Sequence, residues 1–173
     1  MQFGALNLQG WVDEHRELLK PPVGNKMIWQ EGEFLVMVVG GPNQRKDYHI
    51  EEGEEFFYQI EGDITVRIKH DGETRDIEIK EGEIFLLPAR VPHSPQRPAG
   101  TIGMVIERQR KEGELDHLRW YCENCDEVLY DSSFQLEDLG KQLKPVIETY
   151  YGDETLRTCK SCGTVMEVPT ASK

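Results

Sequence analysis

The stretch from Glu54 to Arg108 permits few architectures. Its apolar residues come in short runs closed by glycine-bearing turns: Glu54–Ile60, Ile64–His70, Arg75–Ile79, Ile84–Leu87 and Ile102–Arg108. In the second run Ile64, Val66 and Ile68 alternate with Thr65, Arg67 and Lys69, the period of a strand that is buried on one face. Asp71-Gly72 follows as a hairpin signal. Short strands in this rhythm predict an all-β barrel or sandwich rather than a parallel α/β sheet. Upstream, Lys26–Gln30 and Phe34–Val39 read as further strands, and the unbroken FLVMVV predicts burial on both faces. Helical spacing over Trp11–Leu19, stopped by Pro21-Pro22, predicts a short N-terminal helix.

Beyond Arg108 the composition changes. RQRKEGELDH reads as a polar connector, Phe134–Tyr151 as a helical run and Val168–Lys173 as a tail. The 173 residues therefore divide into a barrel with its helix, 1–110, and a C-terminal extension, 111–173. A net charge of -12 argues against sequence-independent binding to nucleic acid or to anionic membranes, both of which need clustered Lys and Arg. No window reaches the ~18 apolar residues of a membrane span, and MQFGALNLQGWVDEH lacks the basic start and apolar core of a signal peptide. A cytoplasmic location is expected, where paired cysteines are better read as metal ligands than as disulfides.

The chemistry-bearing residues fall in two groups. In EEFFYQI, Glu55 shares a strand face with Phe57 and Gln59, so a carboxylate points into an apolar interior and needs a cation or a proton. His49 just upstream and His93 on a later strand can share that cation. Two histidines and a carboxylate are the ligands of a non-haem iron(II) site with open positions. His15 reads as solvated, His70 as an exposed turn residue, and His117 has no partner in the pattern. Arg97, four residues after His93, and Glu107, at the end of IGMVIE, have two readings: a buried ion pair that holds the barrel, or a clamp for an anionic substrate. The second group is Cys122-x-x-Cys125 and Cys159-x-x-Cys162, which use all four cysteines. Two such knuckles make a closed tetrahedral thiolate site for zinc or a single iron.

These motifs resemble the cupins. His49, Glu55 and Gly62 match the second histidine, glutamate and glycine of the first cupin motif, and Gly82, Pro88 and His93 match the second. Asp47 stands where the first histidine of the pair would be, and Arg90 where the second motif usually has a further glycine. A three-ligand face remains. LLKPPVGN, GGPN before Arg45, EEFFYQ, HSPQR after LLP, and VIERQR together resemble the bacterial 3-hydroxyanthranilate 3,4-dioxygenase family.

That resemblance implies a cupin-type, jelly-roll β-barrel with iron(II) on His49, Glu55 and His93. It implies that Glu55, Arg97 and Glu107 meet the substrate, that Arg45 lies at the dioxygen position, and that Arg45 and Glu107 take part in catalysis. Phe57 and Pro95 are expected as apolar walls. The implied reaction opens the ring of 3-hydroxyanthranilate with O2 to 2-amino-3-carboxymuconate semialdehyde, which cyclises to quinolinate, a precursor of NAD. The resemblance also implies a rubredoxin-like iron on the four cysteines, where zinc is equally suited, and a homodimer. The rival functions are another cupin enzyme and a non-catalytic, metal-dependent ligand-binding cupin.

Overall fold

The computed structural model describes residues 4–21, 24–43, 45–136 and 139–169. A helix, α1 (Leu8–His15), and a 3-10 turn (Arg16–Leu19) precede eleven strands: β1 (Asn25–Trp29), β2 (Phe34–Gly40), β3 (Tyr48–Ile50), β4 (Glu55–Glu61), β5 (Ile64–His70), β6 (Glu73–Ile79), β7 (Ile84–Leu87), β8 (His93–Gln96), β9 (Ile102–Arg108), β10 (Asp116–Tyr121) and β11 (Val128–Phe134). Helices α2 (Leu139–Gly152) and α3 (Glu154–Arg157) follow. Two antiparallel sheets face one another, in the orders β1-β2-β9-β4-β7 and β11-β10-β3-β8-β5-β6. This is the expected all-β architecture with a short N-terminal helix.

Alternation sorts the side chains. Met37, Phe57, Ile64, Val66, Ile68, Ile79, Leu87 and Val105 turn inward and form the core between the sheets. Burying such a side chain stabilises the fold by roughly 1.5–3 kcal/mol. Phe34, expected to be buried with the rest of its run, is exposed at the end of the sheet, whereas from Leu35 to Val38 β2 is buried on both faces because α1 covers its back. There Val38 and Ile102 pack with Val12 and Leu19, while Met37 points into the barrel. The two motif glycines end strands at positive φ, +65° at Gly62 and +84° at Gly82, which glycine adopts without steric cost.

Several elements differ from the sequence reading. The helix begins at Leu8, three residues before Trp11, because the Asn7 side chain accepts from Gly10 N at 2.9 Å and caps it. The stretch Arg108–His117 is a connector only as far as Leu115. Asp116 and His117 open β10, which pairs with β3 and β11, so the extension continues the six-stranded sheet. Phe134 closes β11, and the helix of that run starts at Leu139; residues 137 and 138 lie outside the described residues, as do 22, 23 and the tail from 170. Leu118, Trp120 and Tyr150 form a second core beneath α2, with Trp120 stacked on Tyr150 at 4.3 Å. Among the described residues no helix is long and apolar enough to cross a membrane.

Candidate metal and substrate site

The pairing of β3 with β8 sets His49 directly opposite His93. Glu55 opens β4 in the facing sheet, beside Glu107 of β9. The sandwich therefore brings two imidazoles from one sheet to a carboxylate from the other. All three residues are buried, and their ligand atoms lie within 4.8 Å of one another. His93 Nδ1 is 3.0 Å from the Val91 carbonyl, which can only accept, so that nitrogen carries a proton and Nε2 faces Glu55 Oε2 at 2.7 Å. Burial opposes charge on both groups. Their mutual attraction outweighs it, raising the His93 pKa and lowering that of Glu55. The two groups thus require a positive charge between them, which either a proton or a metal ion can supply. The donor set, two His and one carboxylate, fits a non-haem iron(II) site.

A cavity of 110 Å³ opens on the triad, lined by His49, Glu55, His93, Arg45, Arg97 and Glu107 among others. Phe57 and Pro95 line it as expected, together with Met37, Val39 and Val105. Leu143 of α2 reaches it too; helical spacing marked that residue as apolar without showing its destination. A larger hollow of 720 Å³ along β1 and β2 holds no histidine or cysteine.

Arg97 is 3% exposed, and among the described residues it forms no ion pair. Its one side-chain hydrogen bond is a long one, Nη1 to Gln59 Oε1 at 3.4 Å. Burial lowers its pKa to about 10, against the pull of Glu55. Asn43 pins its backbone from both sides, with Oδ1 accepting from Arg97 N at 2.8 Å and Asn43 N donating to Arg97 O at 2.9 Å. Gly103 leaves the room: a Cβ there would stand 2.8 Å from Arg97 Nη1 and 2.6 Å from Gln59 Oε1.

The Arg97–Glu107 ion pair held open by the sequence does not form. Glu107 Oε2 instead accepts from Arg110 Nη1 at 2.7 Å, because the chain bends after β9 and brings Arg110 back. Burial, followed by Glu55, raises the Glu107 pKa. Arg45 is spent on Asp47, to which its Nη2 and Nε donate, so the residue at the missing histidine position serves an arginine.

Sequence reasoning missed three buried groups behind the triad. Asp116 Oδ2 accepts from His49 Nε2 at 2.7 Å, Arg110 binds Asp116 through two nitrogens, and Glu51 lies 2.8 Å from Arg110 Nη1. Asp116 and Arg110 sat in what reads as a connector, and only the β3–β10 pairing reveals their address. The other histidines lie outside the triad and its cavity. His117 Nδ1 pairs with Asp131 Oδ1 at 2.7 Å across β10 and β11, His15 stacks half-buried on Trp11, and His70 is exposed beside Asp71.

The four cysteines converge. Sγ separations are 3.6 Å for Cys122–Cys162 and 3.5 Å for Cys125–Cys159. A tetrahedron of thiolates at ~2.3 Å from a metal has edges of about 3.8 Å, so the group fits a four-coordinate ion. Both knuckles repeat one backbone pattern. Cys122 N donates to Glu127 O and Cys159 N to Thr164 O; Asp126 N and Gly163 N donate back to the cysteine carbonyls. Asp126 and Gly163 take positive φ at equivalent places.

A family model described as 3-hydroxyanthranilic acid dioxygenase matches residues 1–151. A 3-hydroxyanthranilate 3,4-dioxygenase of Xanthomonas campestris pv. campestris is 54% identical over 169 residues, 98% of this chain and 96% of that one. One from Bacillus thuringiensis is 47% identical over 163 residues, 94% and 91% of the two chains. Among solved structures, a cupin-2 domain-containing protein from Shewanella frigidimarina is 18% identical, with a TM-score of 0.47 over 56% of this chain and 90% of that one.

Proposed function

The chain belongs to the 3-hydroxyanthranilic acid dioxygenase family, and from that premise we propose how its residues divide the work. The reaction is the ring-opening of 3-hydroxyanthranilate by O2 to 2-amino-3-carboxymuconate semialdehyde. His49, Glu55 and His93 would hold iron(II), which supplies the redox and Lewis-acid chemistry that brings O2 and an electron-rich aminophenol ring together. Arg97 binds the ring carboxylate through parallel hydrogen bonds. The observation that carries this reading is the buried guanidinium itself. It faces a cavity shared with the triad and, among the described residues, has no carboxylate of its own. Leaving a cation so buried is costly unless an anion arrives to meet it.

Glu107, raised toward its neutral form by burial and by Glu55, is suited to take a proton from the substrate's amino or hydroxyl group as the ring binds. Arg45, at the cavity rim and anchored by Asp47, supplies positive charge where negative charge grows on reduced oxygen. Phe57, Pro95, Val105 and Leu143 keep water from the ring. The four cysteines would hold a second iron, or zinc, with no position left for substrate.

A homodimer has a candidate face. Ile84 and Leu86 on the edge strand β7 are 65% and 53% exposed, beside Phe56 and Tyr58, and a second copy would cover them. Glu substitutions at Ile84 and Leu86 should yield monomers by light scattering.

Oxygen uptake by the iron-loaded protein with 3-hydroxyanthranilate tests the activity. One O2 should be consumed per semialdehyde formed, with quinolinate appearing on standing. Turnover of a carboxylate-free aminophenol alone would overturn the assignment. Another cupin chemistry, or a non-catalytic ligand-binding role, is not favoured when relatives at about half identity carry this one name.

A further inference from the structure

Beside the triad, one guanidinium serves three buried carboxylates. The Arg110 side chain is 4% exposed. Its Nε and Nη2 donate to Asp116 Oδ1 and Oδ2 at 2.8 and 2.6 Å. Its Nη1 donates to Glu107 Oε2 at 2.7 Å and lies 2.8 Å from Glu51 Oε2. Two of these carboxylates reach the site. Asp116 Oδ2 also accepts from His49 Nε2 at 2.7 Å, and Glu107 lines the cavity. The third, Glu51, follows His49 by two residues on the same chain segment.

We propose that Arg110 is a positioning residue that sets the metal ligand His49, through Asp116, and the cavity carboxylate Glu107 with a single planar fork. The proposal rests on the metal and substrate reading above. Both Asp116 oxygens accept from the Arg110 guanidinium, which holds the group as a carboxylate. It can then only accept, which keeps the His49 proton on Nε2 and the ring in one orientation. Partners of this kind behind a ligating histidine typically change metal affinity by 10–100-fold. Lysine cannot replace the arginine, because a single ammonium cannot span two carboxylates with parallel bonds in one plane. A merely structural ion cluster would affect melting and leave the metal and the substrate alone.

The test uses the full chain with its four-cysteine site loaded and its barrel emptied. Barrel affinity is read by titrating Co(II), followed by its d–d absorption. Kinetic constants are then measured at saturating iron(II). Arg110→Lys should weaken Co(II) binding at least tenfold and also lower kcat/KM at least tenfold when iron is saturating. Asp116→Asn should show the metal defect, and Glu107→Gln the substrate defect, so that the arginine variant alone carries both. Arg110→Lys with a lowered melting point but Co(II) affinity and kcat/KM within twofold of wild type overturns the proposal. If Arg110→Lys does not fold, Asp116→Asn decides: tenfold weaker Co(II) supports the proposal, unchanged affinity overturns it. His93→Ala that still binds Co(II) in the barrel would fault the underlying site instead.

Discussion

The two candidate metal sites of this chain are built on opposite principles. The four-cysteine site is local and closed. Two knuckles with the same backbone hydrogen bonds meet, and their sulfurs face one another. The barrel site is assembled from β3, β4 and β8, and among the described residues it leaves the Arg97 guanidinium without an ion pair. A closed site spends its donors on structure, whereas an open one keeps unsatisfied charge for what must bind there. The same contrast separates the neighbouring arginines. Among the described residues Arg110 has three carboxylates and Arg97 has none.

The sharpest way to break this comparison is to remove ligands and count metal. His49→Ala, Glu55→Ala and His93→Ala should each empty the barrel and leave the cysteine-bound ion in place, so metal analysis falls from two equivalents to one. Turnover should fall to less than about a thousandth, a loss of roughly 4 kcal/mol in transition-state stabilisation. A variant that kept both metals would remove the distinction between the sites.

Next in size is Arg97→Ala. Charge-assisted hydrogen bonds to the ring carboxylate are worth about 1.5–3 kcal/mol each, so kcat/KM should drop tenfold to a hundredfold or more, with barrel iron unchanged. The carboxylate-free 2-aminophenol should lose far less. Because Arg97 is buried without an ion pair, its removal relieves a desolvated charge, and the melting temperature should hold or rise. Equal losses on both substrates, together with a fall in melting temperature, would falsify the clamp.

The fold could be read because its signals are local. Glycine turns, alternation over Ile64–His70 and the apolar run of β2 each act within a few residues, and the seven strands named from the sequence lie within two residues of their expected ends. The triad and the knuckles were legible for the same reason, as residue types at short spacings inside recognisable phrases. What supports the triad was not. Asp116 lies 67 residues from His49 and meets it only because β10 joins β3. β8, with Pro95 inside, offered no strand pattern. The Arg97–Glu107 pair failed as an alternative because proximity to one cavity does not decide which arginine takes a carboxylate. The bend after β9 gave Glu107 to Arg110.

A smaller effect is expected at the closed site. Cys122→Ser with Cys125→Ser removes a structural metal that can contribute on the order of 10 kcal/mol to local folding, so melting temperature and soluble yield should fall. The folded fraction should keep kcat within about threefold, less than 1 kcal/mol. Any change in kinetics should appear in KM, since α2 lies between the knuckles and carries Leu143 to the cavity. Abolished turnover with intact fold and full barrel iron would join the two sites into one machine.

The smallest effect is expected at Arg90, where the sequence departs from the glycine of the cupin motif. Its φ is +65°, the left-handed region, three residues before His93. For an L-residue that conformation costs roughly 1–2 kcal/mol. The turn holds because Arg90 N donates to Glu51 O at 2.9 Å and Arg90 Nε donates to Glu52 Oε2 at 2.6 Å. Arg90→Gly removes the strain and keeps the backbone bond. Against this, it loses an ion pair that is 73% exposed on the arginine side and worth about 0.2–1 kcal/mol. It also gives the unfolded chain extra freedom worth about 0.4–1 kcal/mol. The contributions nearly cancel, so the melting temperature should move by no more than roughly 2–4 °C, the shift that 1 kcal/mol gives in a domain of this size. Barrel metal affinity should be unchanged, because His93 is oriented by the Val91 carbonyl and by its pairing with His49, neither of which involves the Arg90 side chain. A tenfold loss of barrel metal in Arg90→Gly would show that the strained turn itself aims His93, and that the open site extends into the loop that precedes it.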